Sequence, residues 1–127
     1  MNGKKILVVD DEQDLREALV TALTAVGLVG ISASDGETGL ALALSERPDL
    51  ILLDIGMPKM NGHQVLAQLR KDPWGKNVPV LLLTNYDDPG NIAEGIELKS
   101  NEYIMKANES LESIVKKVKQ YLAGYHD

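Results

Sequence analysis

Cysteine is absent from the sequence, which excludes a disulfide framework and any zinc site built on thiolates. A chain without cysteine suits a reducing compartment, so we expect a cytoplasmic protein. Long apolar runs are also missing: the first, Ile6–Val9, is too short for a signal peptide, and no later stretch is long enough to span a membrane. No repeat, linker or low-complexity tract divides the 127 residues, so we predict one domain over residues 1–127.

Basic residues are outnumbered, with 13 Lys and Arg against 19 Asp and Glu and a net charge of −6. An acidic chain is a poor match for a phosphate backbone, so direct nucleic-acid binding is not expected. The same balance leaves room for metal ions or for a basic partner surface.

Five short apolar stretches alternate with segments whose apolar residues recur at helical spacing. This alternation predicts an α/β fold: a single doubly wound, five-stranded parallel sheet with five helices on both faces, joined by right-handed crossovers. The second helix is predicted to open at the capping-box pair Ser34 and Glu37, and the fourth at Asp88. The predicted strands are Ile6–Val9, Leu28–Ala33, Asp49–Leu53, Val80–Leu83 and Tyr103–Met105.

Polar side chains stand where four of these strands end: Asp10 and Asp11, Asp54, Thr84 and Lys106. Parallel strands end at one edge of a sheet, so these groups should converge there. Crowded carboxylates raise each other's pKa unless a cation intervenes, and Mg²⁺ (or Mn²⁺ in its place) suits such oxygen ligands. Beside a lysine and a hydroxyl, that ion forms a set suited to a phosphoryl group.

Simpler explanations exist for these acids taken singly. Asp54 alone would be taken as the cap of the loop that follows it. Asp10, Asp11 and Glu12 would be taken as acids that complement the dipole of the first helix. Capping explains one or two acids, but not why two of them stand at the end of a buried strand.

Four stretches together resemble the response-regulator receiver family, which is CheY-like: Val8–Asp11, Leu52–Pro58, Thr84 and Tyr103–Lys106. Each motif alone is weak, but the ordered set is specific and covers nearly the whole chain. The resemblance implies the strand order 2-1-3-4-5.

The resemblance also implies roles for individual residues. Asp54 is the expected phosphoacceptor, which takes the phosphoryl group of a phosphohistidine on a histidine kinase or phosphotransfer protein, or of a small acyl phosphate. Asp11, Asp54 and the Gly56 carbonyl are the expected direct Mg²⁺ ligands, and Asp10 acts through water. Lys106 is expected to neutralise the phosphoryl oxygens.

A switch is implied by the same resemblance. The Thr84 hydroxyl moves to the phosphoryl group and Tyr103 then turns inward, which changes the surface formed by the fourth predicted helix, the fifth strand and the last helix. That surface is expected to meet a downstream target protein or an output domain outside these residues, because only a few polar residues follow the last predicted helix. Independently of the resemblance, Gly90 and Gly95 weaken the fourth predicted helix, which suits either a switch that needs low local stability or simply a weak surface helix.

Four positions depart from the family pattern or modify it. Ala107 follows Lys106 where proline is usual, so we predict a trans bond there and a shifted loop, because a cis non-proline bond costs about 2.5–4 kcal/mol. Asn85 follows Thr84 where the family usually has a small residue. Its side chain either narrows the entry for a phosphodonor or forms a hydrogen bond to the phosphoryl group through its amide. Gly56 and Tyr86 are expected to set the lifetime of the aspartyl phosphate, in opposing directions.

Isolated residues have plainer interpretations. His63 follows Gly62 at the start of the third helix and is predicted to be a solvated surface residue. Trp74 is predicted to cover the edge of the core, and Met57 and Met60 to pack in their loop rather than bind metal.

The leading hypothesis is therefore a two-component receiver, a switch rather than a turnover enzyme. Two rivals lack their chemistry: an aspartate-dependent phosphatase needs a second acid where Gly56 stands, and a dinucleotide site needs glycines where Asp10 and Asp11 stand. The third rival hypothesis is a degenerate receiver that binds partners without phosphorylation, and the unusual residues Asn85 and Ala107 favour it.

Overall fold

The computed structural model of the chain describes residues 3–57, 59–85 and 101–124. Five strands form one parallel sheet: β1 (Lys5–Val9), β2 (Val29–Ala33), β3 (Leu50–Asp54), β4 (Val80–Thr84) and β5 (Glu102–Met105). The described helices are α1 (Gln13–Ala25), α2 (Gly36–Glu46), α3 (Gly62–Lys71) and α4 (Leu111–Leu122), with a 3-10 turn at Lys106–Asn108. The order β2-β1-β3-β4-β5 confirms the predicted topology.

One part of the prediction falls outside these ranges. The helix predicted from Asp88, with Gly90 and Gly95, lies outside the described residues, and so does Tyr86. The helix α4 is thus the last of the five predicted helices.

Side chains of the central strands alternate between two hydrophobic cores, as the period of a pleated strand requires. Leu53 and Leu82 face the core beneath α2 and α3, whereas Leu52 and Leu83 face the core beneath α1 and α4. Both β3 and β4 are buried over their whole length. The rigid centre of the sheet therefore ends at Asp54 and Thr84.

Two helix starts show how local sequence fixes these elements. Asn61 accepts a hydrogen bond from the Gln64 N–H, and the Gln64 side chain accepts one from the Asn61 N–H, which completes a capping box. The capping box predicted for the second helix is wrong by one residue: Asp35 is the N-cap and accepts from the Thr38 N–H. The aspartate side chain makes the cap that Ser34 was expected to make.

Several packing predictions are confirmed. Trp74 and Met60 are partly buried against the core beneath α2 and α3, and Met57 is buried within it. In the parts of the chain that the structure describes, no helix combines the length and the apolar character needed to cross a bilayer.

Candidate functional site

The register of β1 and β3 places two aspartates side by side. The strands pair in parallel with Val9 beside Leu53, so Asp10 and Asp54 are the next residues along. Asp11 stands one residue further, and one oxygen from each of the three carboxylates lies within 4.8 Å of the others. Asp10 and Asp54 are buried while Asp11 is exposed. The predicted cluster of acids is thus present at the end of the sheet.

Lys106 reaches this cluster from β5. Thr84 pairs with Met105 in the β4–β5 register, so Lys106 follows at the same edge. Its ammonium nitrogen lies 2.9 Å from Asp10 Oδ2 and 3.3 Å from Asp54 Oδ1, and its side chain is only 7% exposed. No described peptide bond is cis, which agrees with the trans Lys106–Ala107 bond predicted from the sequence. Alanine at position 107 therefore does not keep Lys106 from the acids.

The protonation of Asp54 is shifted by its surroundings. Burial raises its pKa to about 6, and the negative charge of Asp10 acts in the same direction. The Lys106 ammonium and the Gly56 N–H, which lies 3.3 Å from Asp54 Oδ1, oppose the rise. Above pH 6 Asp54 is mostly ionised, although its anion is held in an unfavourable environment.

Lys106 is shared between the buried acids and Glu12. Its nitrogen donates to Glu12 Oε1 at 2.9 Å. Burial alone would lower the pKa of Lys106, but its close contacts with the Asp10 and Glu12 carboxylates raise it. The same hydrogen bond lowers the pKa of Glu12. Lys106 is therefore a permanent cation within this site.

The donor set fits a divalent cation. Asp10 Oδ2 is buried and, among the described residues, has no aligned hydrogen-bond donor, although the Lys106 ammonium is near. Its other oxygen, Oδ1, accepts from the Glu12 N–H at 2.9 Å. Three carboxylates whose oxygens lie within 4.8 Å of one another, with one ammonium beside two of them, leave an excess of negative charge. Hard oxygen ligands of this kind are those that Mg²⁺ and Mn²⁺ take.

A cavity of about 180 Å³ opens beside these acids. Thr84 is buried in its wall, and Asn85 lies at its exposed edge with the amide 3.5 Å from Glu12 Oε1. A larger groove of about 750 Å³ between α1 and α4 is apolar and lies away from the carboxylates. Of these two spaces, the small cavity is the one that borders the carboxylate cluster. Its lining residues are Asp11, Glu12, Asp54, Ile55, Gly56, Thr84 and Asn85.

The prediction for His63 is wrong. The residue is 4% exposed, and its Nε2 lies 2.7 Å from the Tyr103 hydroxyl oxygen. Tyr103 is partly buried against the core beneath α2 and α3. A histidine has no burial signal of its own, and its partner is forty residues away in sequence. The neighbouring Gly62 was the available hint, because glycine at a helix start permits close packing.

Comparison with known proteins places the chain in a family. The family sequence model described as the response regulator receiver domain matches residues 6–119 of this chain. The chain therefore belongs to the response regulator receiver domain family, whose members are signalling switches of two-component systems rather than turnover enzymes.

Curated relatives extend beyond the matched region. The chain is 42% identical over 106 residues to the probable transcriptional regulator ycf27 of Porphyridium aerugineum, covering 84% of this chain and 43% of that protein. It is 43% identical over 104 residues to the alkaline phosphatase synthesis transcriptional regulatory protein PhoP of Bacillus subtilis (strain 168), covering 82% and 42%. The chain thus spans less than half the length of these relatives.

Solved structures share the fold along nearly the whole chain. A CheY-like response regulator receiver domain protein from Methanospirillum hungatei JF-1 has a TM-score of 0.90 at 26% identity, covering 97% of this chain and 96% of that chain. The chemotaxis protein CheY4 of Vibrio cholerae has a TM-score of 0.87 at 29% identity, covering 93% and 98%.

Proposed function

We propose that the chain is a phosphorylation-controlled receiver in which Asp54 accepts a phosphoryl group. The donor is the phosphohistidine of a histidine kinase or phosphotransfer protein, or a small acyl phosphate. The observation that carries the proposal is the position of Asp54: its carboxylate is next to a cavity, within 4.8 Å of two further acids and 3.3 Å from a buried lysine.

The reaction is a phosphoryl transfer between two oxygens or from nitrogen to oxygen. An Asp54 carboxylate oxygen attacks phosphorus and forms an acyl phosphate bond. The P–N bond of phosphohistidine, or the P–O bond of the acyl phosphate, breaks, and its electron pair leaves with the imidazole or the carboxylate. With a pKa of about 6, Asp54 is mostly ionised at neutral pH and needs no general base.

Lys106, and a divalent ion when one is bound, would supply charge stabilisation for the transfer. Asp10, Asp11, Asp54 and the Gly56 carbonyl would hold Mg²⁺ or Mn²⁺, which when bound neutralises charge on the transferring group. Lys106 is already desolvated next to Asp54, so it meets the new phosphoryl oxygens with little reorganisation. Asn85 and Gly56 line the cavity and, with Tyr86, influence how long the acyl phosphate survives.

The response to phosphorylation begins at Thr84. Its hydroxyl moves to the phosphoryl group, and Tyr103 and the surface around β5 follow. Two relatives are named as transcriptional regulators and are more than twice the length of the matched segment. That supports an output through an attached domain or a separate downstream protein. We expect the receiver itself to act in the cytoplasm without contacting a membrane, and its net charge of −6 argues against direct contact with nucleic acid.

Mass spectrometry after incubation with acetyl phosphate and Mg²⁺ tests the proposal. We expect one added phosphoryl group on the wild type and none on Asp54→Asn. Asp14→Asn is the matched control, since it removes an exposed acid in the first turn of α1 and should still be labelled. A chelator should abolish labelling of the wild type. Labelling that survives in Asp54→Asn, or a wild type that is never labelled, contradicts the proposal, and the second result favours a binding module that works without phosphorylation.

A further inference from the structure

A second polar pair, buried His63 and partly buried Tyr103, lies near the site but outside it. His63 Nε2 and the Tyr103 hydroxyl are 2.7 Å apart, and the ring centroids are 6.3 Å apart with the rings tilted by 50°. That separation and tilt leave the hydrogen bond as the close polar contact between them. A neutral imidazole can donate or accept at Nε2, and a phenol can do either, so each histidine tautomer makes one bond here.

His63 is held rigidly against the strand that carries Asp54. The Gly62 N–H donates to the Ile55 carbonyl at 3.0 Å, just beyond the end of β3. A Cβ on Gly62 would lie 2.5 Å from the Asp54 carbonyl oxygen, so only glycine lets α3 start this close to the strand. The Asn61 capping box fixes the first turn of α3 as well. His63 therefore has a defined position relative to the backbone of Asp54.

Tyr103 faces this position because of the strand register. It pairs with Leu82 in the β4–β5 ladder and shares with Leu82 the core beneath α2 and α3. Two residues further along, Met105 pairs with Thr84. The Tyr103 hydroxyl thus connects the start of α3 with the strand that lies beside Thr84.

We infer that His63 is a positioning residue that holds the Tyr103 ring inward before any phosphoryl group is present. The inference deepens the proposed switch and rests on it: part of the inward movement expected of Tyr103 is already made, through a bond to the helix that packs on the end of the Asp54 strand. Without His63 the ring loses this hydrogen bond and samples outward positions more often in the unphosphorylated chain.

The position of the ring is measured directly by NMR on protein labelled with ¹³C-tyrosine. Tyr103→Phe identifies the resonance among those of the four tyrosines. A soluble paramagnetic agent then reports how exposed each ring is. We expect the Tyr103 resonance to broaden severalfold more in His63→Leu than in the wild type, and His63→Gln, which retains a hydrogen-bonding group, to restore much of the protection. Equal protection in the wild type and His63→Leu overturns the inference.

A reciprocal measurement does not depend on any substitution of His63. The ring nitrogens of His63 and His126, the two histidines of the chain, are followed by ¹⁵N NMR, with His126→Gln for assignment. In Tyr103→Phe the His63 Nε2 resonance should shift while that of His126 stays in place. An unchanged His63 resonance contradicts the hydrogen bond and with it the inference.

Labelling kinetics separate this inference from the proposed function. His63→Leu should still be labelled on Asp54 by acetyl phosphate and Mg²⁺, at a rate different from the wild type. The effects of His63→Leu and Tyr103→Phe on that rate should not add in the double variant, because both remove one contact. Strictly additive effects overturn the inference, whereas a wild type without any labelling overturns the proposed function and leaves the NMR result to be judged by itself.

Discussion

The acidic site has a floor and a rim that carry similar groups in different surroundings. The floor consists of Asp10, Asp54 and Lys106, whose side chains are at most 7% exposed. The rim consists of Asp11, Glu12 and Asn85, which are exposed. Lys106 contacts both, at 2.9 Å from Asp10 and 2.9 Å from Glu12. The two ion pairs of Lys106 thus have the same length, but the Asp10 carboxylate is buried whereas the Glu12 carboxylate is exposed to water.

This difference shows where charge can drive chemistry. On the floor, water does not screen the two carboxylates, and one ammonium cannot neutralise both, so the pKa of Asp54 rises to about 6. On the rim, solvent and salt reduce what any one ion pair contributes. A cation or a phosphoryl group that enters the cavity changes the free energy of the floor far more than that of the rim.

The largest effect is expected from Lys106→Met. Removing the ammonium leaves the floor acids unpaired, which should lower the free energy of unfolding at pH 7 by on the order of 3 kcal/mol, measured by urea denaturation without divalent ions. The loss should shrink at pH 5, where Asp54 is mostly protonated.

A matched control for Lys106→Met is Lys117→Met. The Lys117 ammonium lies 2.6 Å from Glu102, but its side chain is 28% exposed. Because solvent still reaches and screens this partly exposed pair, Lys117→Met should cost about 1 kcal/mol or less. Equal costs for the two substitutions would show that burial does not distinguish the floor.

Asp54→Asn should stabilise the chain at neutral pH. The pKa of Asp54 is raised in the folded state, from 3.8 to about 6, so between these values the folded chain binds more protons than the unfolded one. Its stability therefore falls as pH rises through that window. Asparagine cannot ionise, so the variant should be more stable by on the order of 2 kcal/mol at pH 7, and the gain should vanish below pH 4.

Urea denaturation from pH 3.5 to 8 checks this window, and Asp35→Asn provides a control of opposite sign. The Thr38 N–H lowers the pKa of Asp35, so the stability from that charge is present at neutral pH and is lost in acid. If the free energy of unfolding depends on pH in the same way in the wild type and in Asp54→Asn, the pKa of Asp54 is not raised by burial and crowding on the floor.

The three floor residues could be predicted from the sequence because the topology of the sheet alone brings them together. A parallel sheet must place Asp10, Asp54 and Lys106 at one edge, and their residue types then specify the chemistry. The strand order came from the family rather than from the residues. His63 was missed because its burial depends on where α3 packs, and the neighbouring Gly62 gives just an indirect hint of that packing. The start of α2 was misplaced because Ser34 and Asp35 are adjacent residues that can both cap a helix, and only the backbone geometry selects between them.

Glu12→Gln tests the rim and should have the smallest effect. The Glu12 side chain is 49% exposed, so losing its charge should change the free energy of unfolding by less than about 1 kcal/mol. The labelling rate of Asp54 should rise, by no more than about fivefold, because Glu12 no longer competes with the phosphoryl oxygens for the Lys106 ammonium. The rise should diminish at high salt, where the exposed pair is already screened.

Glu112→Gln makes the same change of net charge on α4, away from the cavity, and should leave the labelling rate unaltered. If Glu12→Gln destabilises the chain as much as Lys106→Met, the rim and the floor form one electrostatic unit and exposure does not separate them. If it slows labelling instead, Glu12 holds Lys106 in the productive position rather than competing for it. The direction of this small effect thus decides whether the rim restrains Lys106 or supports it.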